Sequence, residues 1–194
     1  MVGCGGGSTA PATCLQVRPC GGDVVGTWSF LGECSNVDAA NELSDCSLLS
    51  GVSEALTGLL TFNADGTYTV TNWHQTYART VSAPLTCSGA STCTAGNGTT
   101  TSSSNGETVT ATTNCTGTST CVCHVASTWD VTTASGSYGA TSAGLSVIGG
   151  PLASSFAYCV EGNQLHLMQT VNVITTNPPT DRNIILSDIV AQRR

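Results

Sequence analysis

Apolar and polar residues alternate at period two along much of this chain, most cleanly in Val24-Val25-Gly26-Thr27-Trp28-Ser29-Phe30. In a strand, Val24, Trp28 and Phe30 share one face with Gly26, while Val25, Thr27 and Ser29 share the other. Two further β-rich runs, Leu59-Leu60-Thr61-Phe62 and Thr67-Tyr68-Thr69-Val70-Thr71, flank Asn63-Ala64-Asp65-Gly66. Asp-Gly between two such runs is a strong hairpin signal. The second strand continues through Tyr77 and ends before Pro84. More strands are predicted over 107–113, 121–131, 138–148, 156–160 and 164–174, with Glu161-Gly162-Asn163 as a second hairpin turn. Residues 37–43 predict one or two helical turns. The last apolar run, 184–190, fits a strand and a short helix about equally.

Eight or nine strands joined mostly by hairpins predict an all-β fold, either an antiparallel up-and-down barrel or a strongly curved sandwich. Its interior is expected to hold Val24, Trp28, Phe30, Leu60, Phe62, Tyr68, Leu165 and Leu167. Residues 1–22, rich in Gly and Pro, read as a flexible tether. A single domain is expected over 23–194, with a polar surface loop at 87–106.

Composition narrows the chemistry. Charged residues make up 9% of the chain, against roughly 25% in ordinary soluble domains. There is no lysine, which excludes Schiff-base chemistry, pyridoxal phosphate attachment and a Walker-type phosphate loop. A net charge of −7 with five arginines (Arg18, Arg79, Arg182, Arg193 and Arg194) leaves no basic patch for nucleic acid or an anionic bilayer. Eleven cysteines without metal-ligand spacing argue for an oxidising compartment and several disulfides. The expected framework uses Cys14, Cys20, Cys34, Cys46, Cys87, Cys93, Cys115, Cys121, Cys123 and Cys159. The expected pairs are Cys14–Cys20, Cys34–Cys46, Cys87–Cys93, Cys115–Cys121 and Cys123–Cys159, although sequence alone does not fix connectivity.

Two motifs carry resemblances. Gly26-x-Trp28 near the start of the folded part resembles the first-strand signature of lipocalins and related calycin-type barrels. That resemblance implies a glycine allowing close backbone packing, a tryptophan plugging the barrel base and a lid, here 32–50, over one mouth. Gly3-Cys4 followed by Gly5-Gly6-Gly7-Ser8 resembles the lipobox of bacterial lipoproteins, and implies that Cys4 carries a lipid while the other ten cysteines pair. Together they imply a bacterial envelope lipoprotein at the outer membrane or cell surface, lipid-anchored or secreted, touching the membrane only through that lipid.

Each candidate for catalysis has a plainer account. His74, His124 and His166 lie in three predicted strands, as a zinc site would require. Strand alternation turns Leu165 and Leu167 inward, however, and His166 outward to solvent. Cys121-Val122-Cys123-His124 has one residue between its cysteines where covalent haem attachment needs two. Thr61 and Asn72 stand where a calcium loop would need its first acid and its last glutamate. Gly144-Leu145-Ser146-Val147-Ile148-Gly149 is one residue too long for a nucleophile elbow. Asp38 and Glu42 meet only if 37–43 is helical. No cofactor, no metal and no enzymatic activity are therefore expected. The leading expectation is a binding protein taking an apolar small ligand in the barrel or a macromolecule at its loops. A structural or adhesive module with a solid barrel is the alternative, and a metal-dependent secreted enzyme comes third. A filled interior would argue against a ligand there.

Overall fold

Strand-favouring Thr, Val and aromatic residues dominate ten antiparallel strands, with glycine or asparagine at several of the breaks between them. The computed structural model describes residues 16–194 except 43, 45, 89, 90, 105, 143, 177 and 178, so Cys4 and Cys14 lie outside the described residues. In chain order the elements are β1 (Gly26–Ser35), α1 (Val37–Glu42), β2 (Leu48–Phe62), β3 (Thr67–Pro84), α2 (Leu85–Ser88), a 3-10 turn (Cys93–Gly96), β4 (Gly98–Ser104), β5 (Glu107–Thr116), β6 (Thr120–Ala140), β7 (Leu145–Ile148), β8 (Ser154–Glu161), β9 (Gln164–Thr176) and β10 (Pro179–Arg193). The 184–190 run thus belongs to a strand. Residues 138–148, expected as one strand, divide at a turn in which Thr141 N–H donates to Gly144 O at 2.9 Å.

Eight strands close a barrel in the order β1-β2-β3-β6-β7-β8-β9-β10, sealed by β10 against β1 and by β3 against β6. The β4–β5 hairpin lies outside this ring, paired to the first half of β6, while β7 takes the same edge near its end. Residues 98–104, expected in a loop, form the wholly exposed edge strand β4. Its hydroxyls pair across to β5 as Thr99–Thr112, Thr101–Thr110 and Ser103–Thr108.

The lower barrel is filled. Val24, Trp28, Phe30, Leu60, Phe62, Tyr68, Leu165 and Leu167 all belong to one buried cluster with Leu56, Val70, Trp73, Val131, Val147 and Phe156. Trp28 is fully buried; its Nε1–H donates to Val24 O at 2.8 Å, and the Arg193 guanidinium lies 4.6 Å from its ring centroid. Gly26 is required by its backbone angle, φ +137°, since a Cβ there would meet nothing closer than 4.0 Å.

Four register irregularities fall in the upper half, one of them between Ser50 and Ser53 in the β2–β3 pairing, and the other three bear on the interior. In β1, Phe30 faces Ala191 and Gly32 faces Val190, so Leu31 is an extra residue and alternation reverses beyond it. Glu33 and Ser35 therefore point inward and Cys34 outward. Gly58 and Asn72 mark a second irregularity between β2 and β3; Gly58 has φ +124° and lies so close to Asn72 O that a Cβ would come within 2.7 Å. A third, at Leu186 in β10, keeps Ser187 opposite Gln169.

The cysteines pair differently from the expected scheme. Observed are Cys20–Cys159, Cys46–Cys87, Cys93–Cys121 and Cys115–Cys123, and Cys34 is also disulfide-bonded. The expected Cys34–Cys46, Cys87–Cys93, Cys115–Cys121 and Cys123–Cys159 bridges are corrected, as is Cys14–Cys20, since Cys20 is joined to Cys159. Strand neighbours, not chain neighbours, decide the partners. Cys115 stands directly opposite Cys123 across β5 and β6, and Cys46 reaches Cys87 in α2, directly after β3.

Candidate functional site

Above the filled base, the reversed alternation of β1 turns a carboxyl group into the barrel. Glu33 from β1, Glu54 from β2, Gln75, Tyr77 and Arg79 from β3, Gln169 from β9 and Ser187 from β10 line a chamber of about 480 Å³. Asn36 and Ala40, at the start of and within α1, complete the wall, so the expected lid segment does border a mouth. Asn36 Oδ1 accepts from Ala39 N–H at 3.1 Å, and its Nδ2 donates to Ile185 O at 3.0 Å, tying α1 to β10. A smaller recess of about 170 Å³ shares Glu33, Gln75 and Gln169 with the chamber and continues between Trp73, Trp129, Leu152 and Phe156.

The electrostatics are unusual for a barrel core. Burial, then repulsion from Glu54 and Asp188, pushes the Glu33 carboxyl up to about 7, against the hydrogen bonds from Gln75 and Ser187. Gln75 Nε2 donates to Glu33 Oε2 at 2.6 Å. Burial also raises Glu54, opposed by hydrogen bonding to Ser35. Arg79 stacks 5.3 Å from the Tyr77 ring centroid. Three N–H donors near these acids, Arg79 Nε, Trp73 Nε1 and Trp129 Nε1, are buried and have no acceptor among the described residues. Unpaired buried donors of this kind are uncommon and call for a partner.

A pH dependence of folding follows. The unfolded Glu33 carboxyl ionises near 4.5 and the folded one near 7, so between these values the folded chain holds an extra proton. Stability from this group is therefore greatest below about 4.5 and falls as pH rises, levelling above about 7, by on the order of 3 kcal/mol in total. Urea denaturation at a series of pH values should show this slope, and Glu33→Gln should flatten it.

The histidines do not converge. His74 and His124 lie on the outer face of β3 and β6, bonded to Asp130 at 2.6 Å and to Thr80 Oγ1 at 3.1 Å. His166 does turn away from the interior, but it is buried rather than solvent-facing, with Nδ1 2.9 Å from Asp188 Oδ2. Period two gives the face a side chain takes, not what packs on that face. Among the described residues no group of three or more His, Cys, Asp or Glu is placed to hold a metal ion, and no helix is long and apolar enough to cross a membrane.

None of the chamber residues stands out in the sequence as a site residue, and Arg79 counts there only as one of five basic residues. The available signal was Glu33, the one charged residue of β1, directly after a glycine at the bulge. Comparison of the chain with protein-family models, with curated proteins and with solved structures found no match in any of the three. What stands is a closed, eight-stranded antiparallel barrel, compatible with the lipocalin plan and cross-linked by disulfides of the kind that form in an oxidising, extracytoplasmic compartment.

Proposed function

We propose that this chain is an extracytoplasmic binding protein that takes a small polar ligand in the chamber between α1 and the filled base. One observation carries the reading: an open-mouthed space of about 480 Å³ at the upper end of the barrel, in the size range of ligand sites, whose wall holds two carboxyls, three amides, a tyrosine and an arginine. The packed lower interior leaves an apolar ligand no room beneath it. The site is built on strands from both sides of the barrel, and such sites hold their geometry better than loops do. No catalytic role is part of this reading, nor is nucleic acid, given the net charge of −7.

Fragment screening by crystal soaking tests it. Polar fragments should collect against Gln75, Tyr77 and Gln169; their absence from the chamber, with binding elsewhere or nowhere, would refute the proposal. Anchoring through a lipid on Cys4 in a bacterial envelope belongs to the same reading, and mass spectrometry of the natural protein should find a diacylglyceryl adduct there.

A second reading, an adhesive surface module, is favoured by a different feature. Thr101, Thr110, Thr128 and Thr76 stand in one cross-strand row over β4, β5, β6 and β3. With Thr99, Thr112, Ser103 and Thr108 they form a hydroxyl-rich, nearly uncharged sheet face.

A further inference from the structure

Strand β4 has no neighbour on its outer side among the described residues. It pairs with β5 alone, in unbroken register from Gly98 opposite Thr113 to Ser104 opposite Glu107, and all seven of its residues are exposed. Which of its backbone groups lack a partner follows from Asn97. The Asn97 Nδ2 donates to Cys115 O at 3.0 Å and its Oδ1 accepts from Cys115 N–H at 2.5 Å, so the backbone of Cys115 faces the β4 side of β5. Alternation turns the backbone groups of Thr113, Ala111, Val109 and Glu107 to that same side, toward Gly98, Thr100, Ser102 and Ser104. The N–H and C=O groups of Thr99, Thr101 and Ser103 therefore point away from the molecule. The hydroxyl contacts Thr99–Thr112, Thr101–Thr110 and Ser103–Thr108 agree, since side chains come closest at pairs that exchange no backbone bonds.

This edge is both unguarded and fixed in shape. Charged side chains, proline and bulges are what usually keep an edge strand from pairing, and Gly98–Ser104 has none of them. Since β4 buries no side chain, its geometry comes from pins. The bridge Cys93–Cys121 ties the turn before it to β6, Cys115–Cys123 ties β5 to β6, and the Asn97 amide brackets Cys115. A strand held extended in this way has little freedom left to lose when another strand adds to it.

We propose that β4 is a self-association edge, through which two copies of this chain join antiparallel about a two-fold axis at Thr101. In that register Thr101 meets the second copy's Thr101 and Thr99 meets its Ser103, so every outward backbone group finds a partner and each such pair exchanges two bonds. The hydroxyl row of the hairpin runs on across the junction, threonine and serine opposite threonine. Charge favours a second copy at this place above others. A chain of net charge −7 repels itself, but no ionised side chain lies on β4. The nearest, Glu107 beside the hairpin turn, would stand at opposite ends of the joined strands in the two copies. That is about 20 Å along the strand, beyond the ~8–10 Å over which exposed charges act. One short strand is a small interface, so free chains pair weakly.

Proton–nitrogen correlation spectra of the full, oxidised, labelled chain provide the test, taken at concentrations from about 20 µM to ~1 mM. The expected result is a set of concentration-dependent shifts centred on residues 98–104. The amides of Thr99, Thr101 and Ser103 should exchange more slowly with solvent as concentration rises, while those of Thr100 and Ser102, already turned to β5, should not change. Thr101→Lys and Thr101→Glu each set like charges face to face across the axis, so either variant alone should lose the concentration dependence. An equal mixture of the two should regain it, because lysine then meets glutamate. The Trp28 indole signal, whose N–H is committed to Val24 O in the sealed base, shows that each variant is folded. Absence of shifts at 98–104 up to ~1 mM would overturn the proposal. So would shifts that persist in Thr101→Lys alone, or a mixture of the two variants that stays monomeric. Shifts produced only by an added polythreonine peptide would give the edge to a foreign strand and overturn it too.

Discussion

Trp28→Ala should lower the stability of the oxidised protein by about 3–5 kcal/mol, the cost of emptying a large, fully buried aromatic site. The side chain is 0% exposed and sits where β1, β2 and β10 meet, opposite Leu60 on one side and Arg193 on the other. Its loss also removes the surface on which Arg193 stacks and leaves Val24 O without the indole donor. Such a cation–π contact adds roughly 0.5–1 kcal/mol. Urea titration with the disulfides intact measures the effect. A loss of less than about 1 kcal/mol would mean that the base is not a packed plug.

The second large effect concerns the longest cross-link. Cys20 and Cys159 are 139 residues apart, whereas Cys115 and Cys123 are separated by 8. In the chain-entropy account a bridge stabilises by restricting the unfolded chain, and the restriction grows with the logarithm of the loop. Replacing both Cys20 and Cys159 by serine should therefore cost about 5 kcal/mol, and replacing Cys115 and Cys123 about half of that. The longer bridge also fastens the entry segment to β8, where Gly21 pairs with Cys159 and Val160 N–H donates to Gly21 O at 2.8 Å. Paired denaturation curves of the two double variants decide the point. Equal losses would show that the native contacts near each bridge, and not loop length, set its contribution.

The lower barrel was legible because nothing interrupts its alternation. Between Val24 and Phe30, and on both sides of the Asn63–Gly66 turn, every second residue except Gly26 is large and apolar, and each such residue lies in the core. Asp65 caps that turn by accepting from Thr67 N–H at 2.9 Å, a local interaction that the Asp-Gly pair announces in sequence. The chamber was hidden for the opposite reason. An extra residue at Leu31 exchanges inside for outside, and a strict period-two reading continued past it would leave Glu33 in solvent and bring Cys34 into the core. The disulfide partners were hidden as well, because Cys115 meets Cys123 only through a β5–β6 register that no local pattern specifies. Edge strand β4 escaped notice since serine and threonine serve loops and exposed strands alike. In the observed register their hydroxyls pair along the hairpin, which loop residues would not do.

The seam between β1 and β10 bears on how the molecule is made. Trp28 is aligned with Arg193, so the ring joins segments that emerge from synthesis at opposite times. The other seam, between β3 and β6, can form while the chain is still being delivered, but it yields an open, curved sheet with bare margins. Such a sheet is prone to pair with its neighbours until β10 arrives. Non-local pairing of this kind folds slowly. Closure of the ring thus waits for β10, the last of its eight strands in chain order, and until then the margins of β1 and β9 stay open to intermolecular pairing.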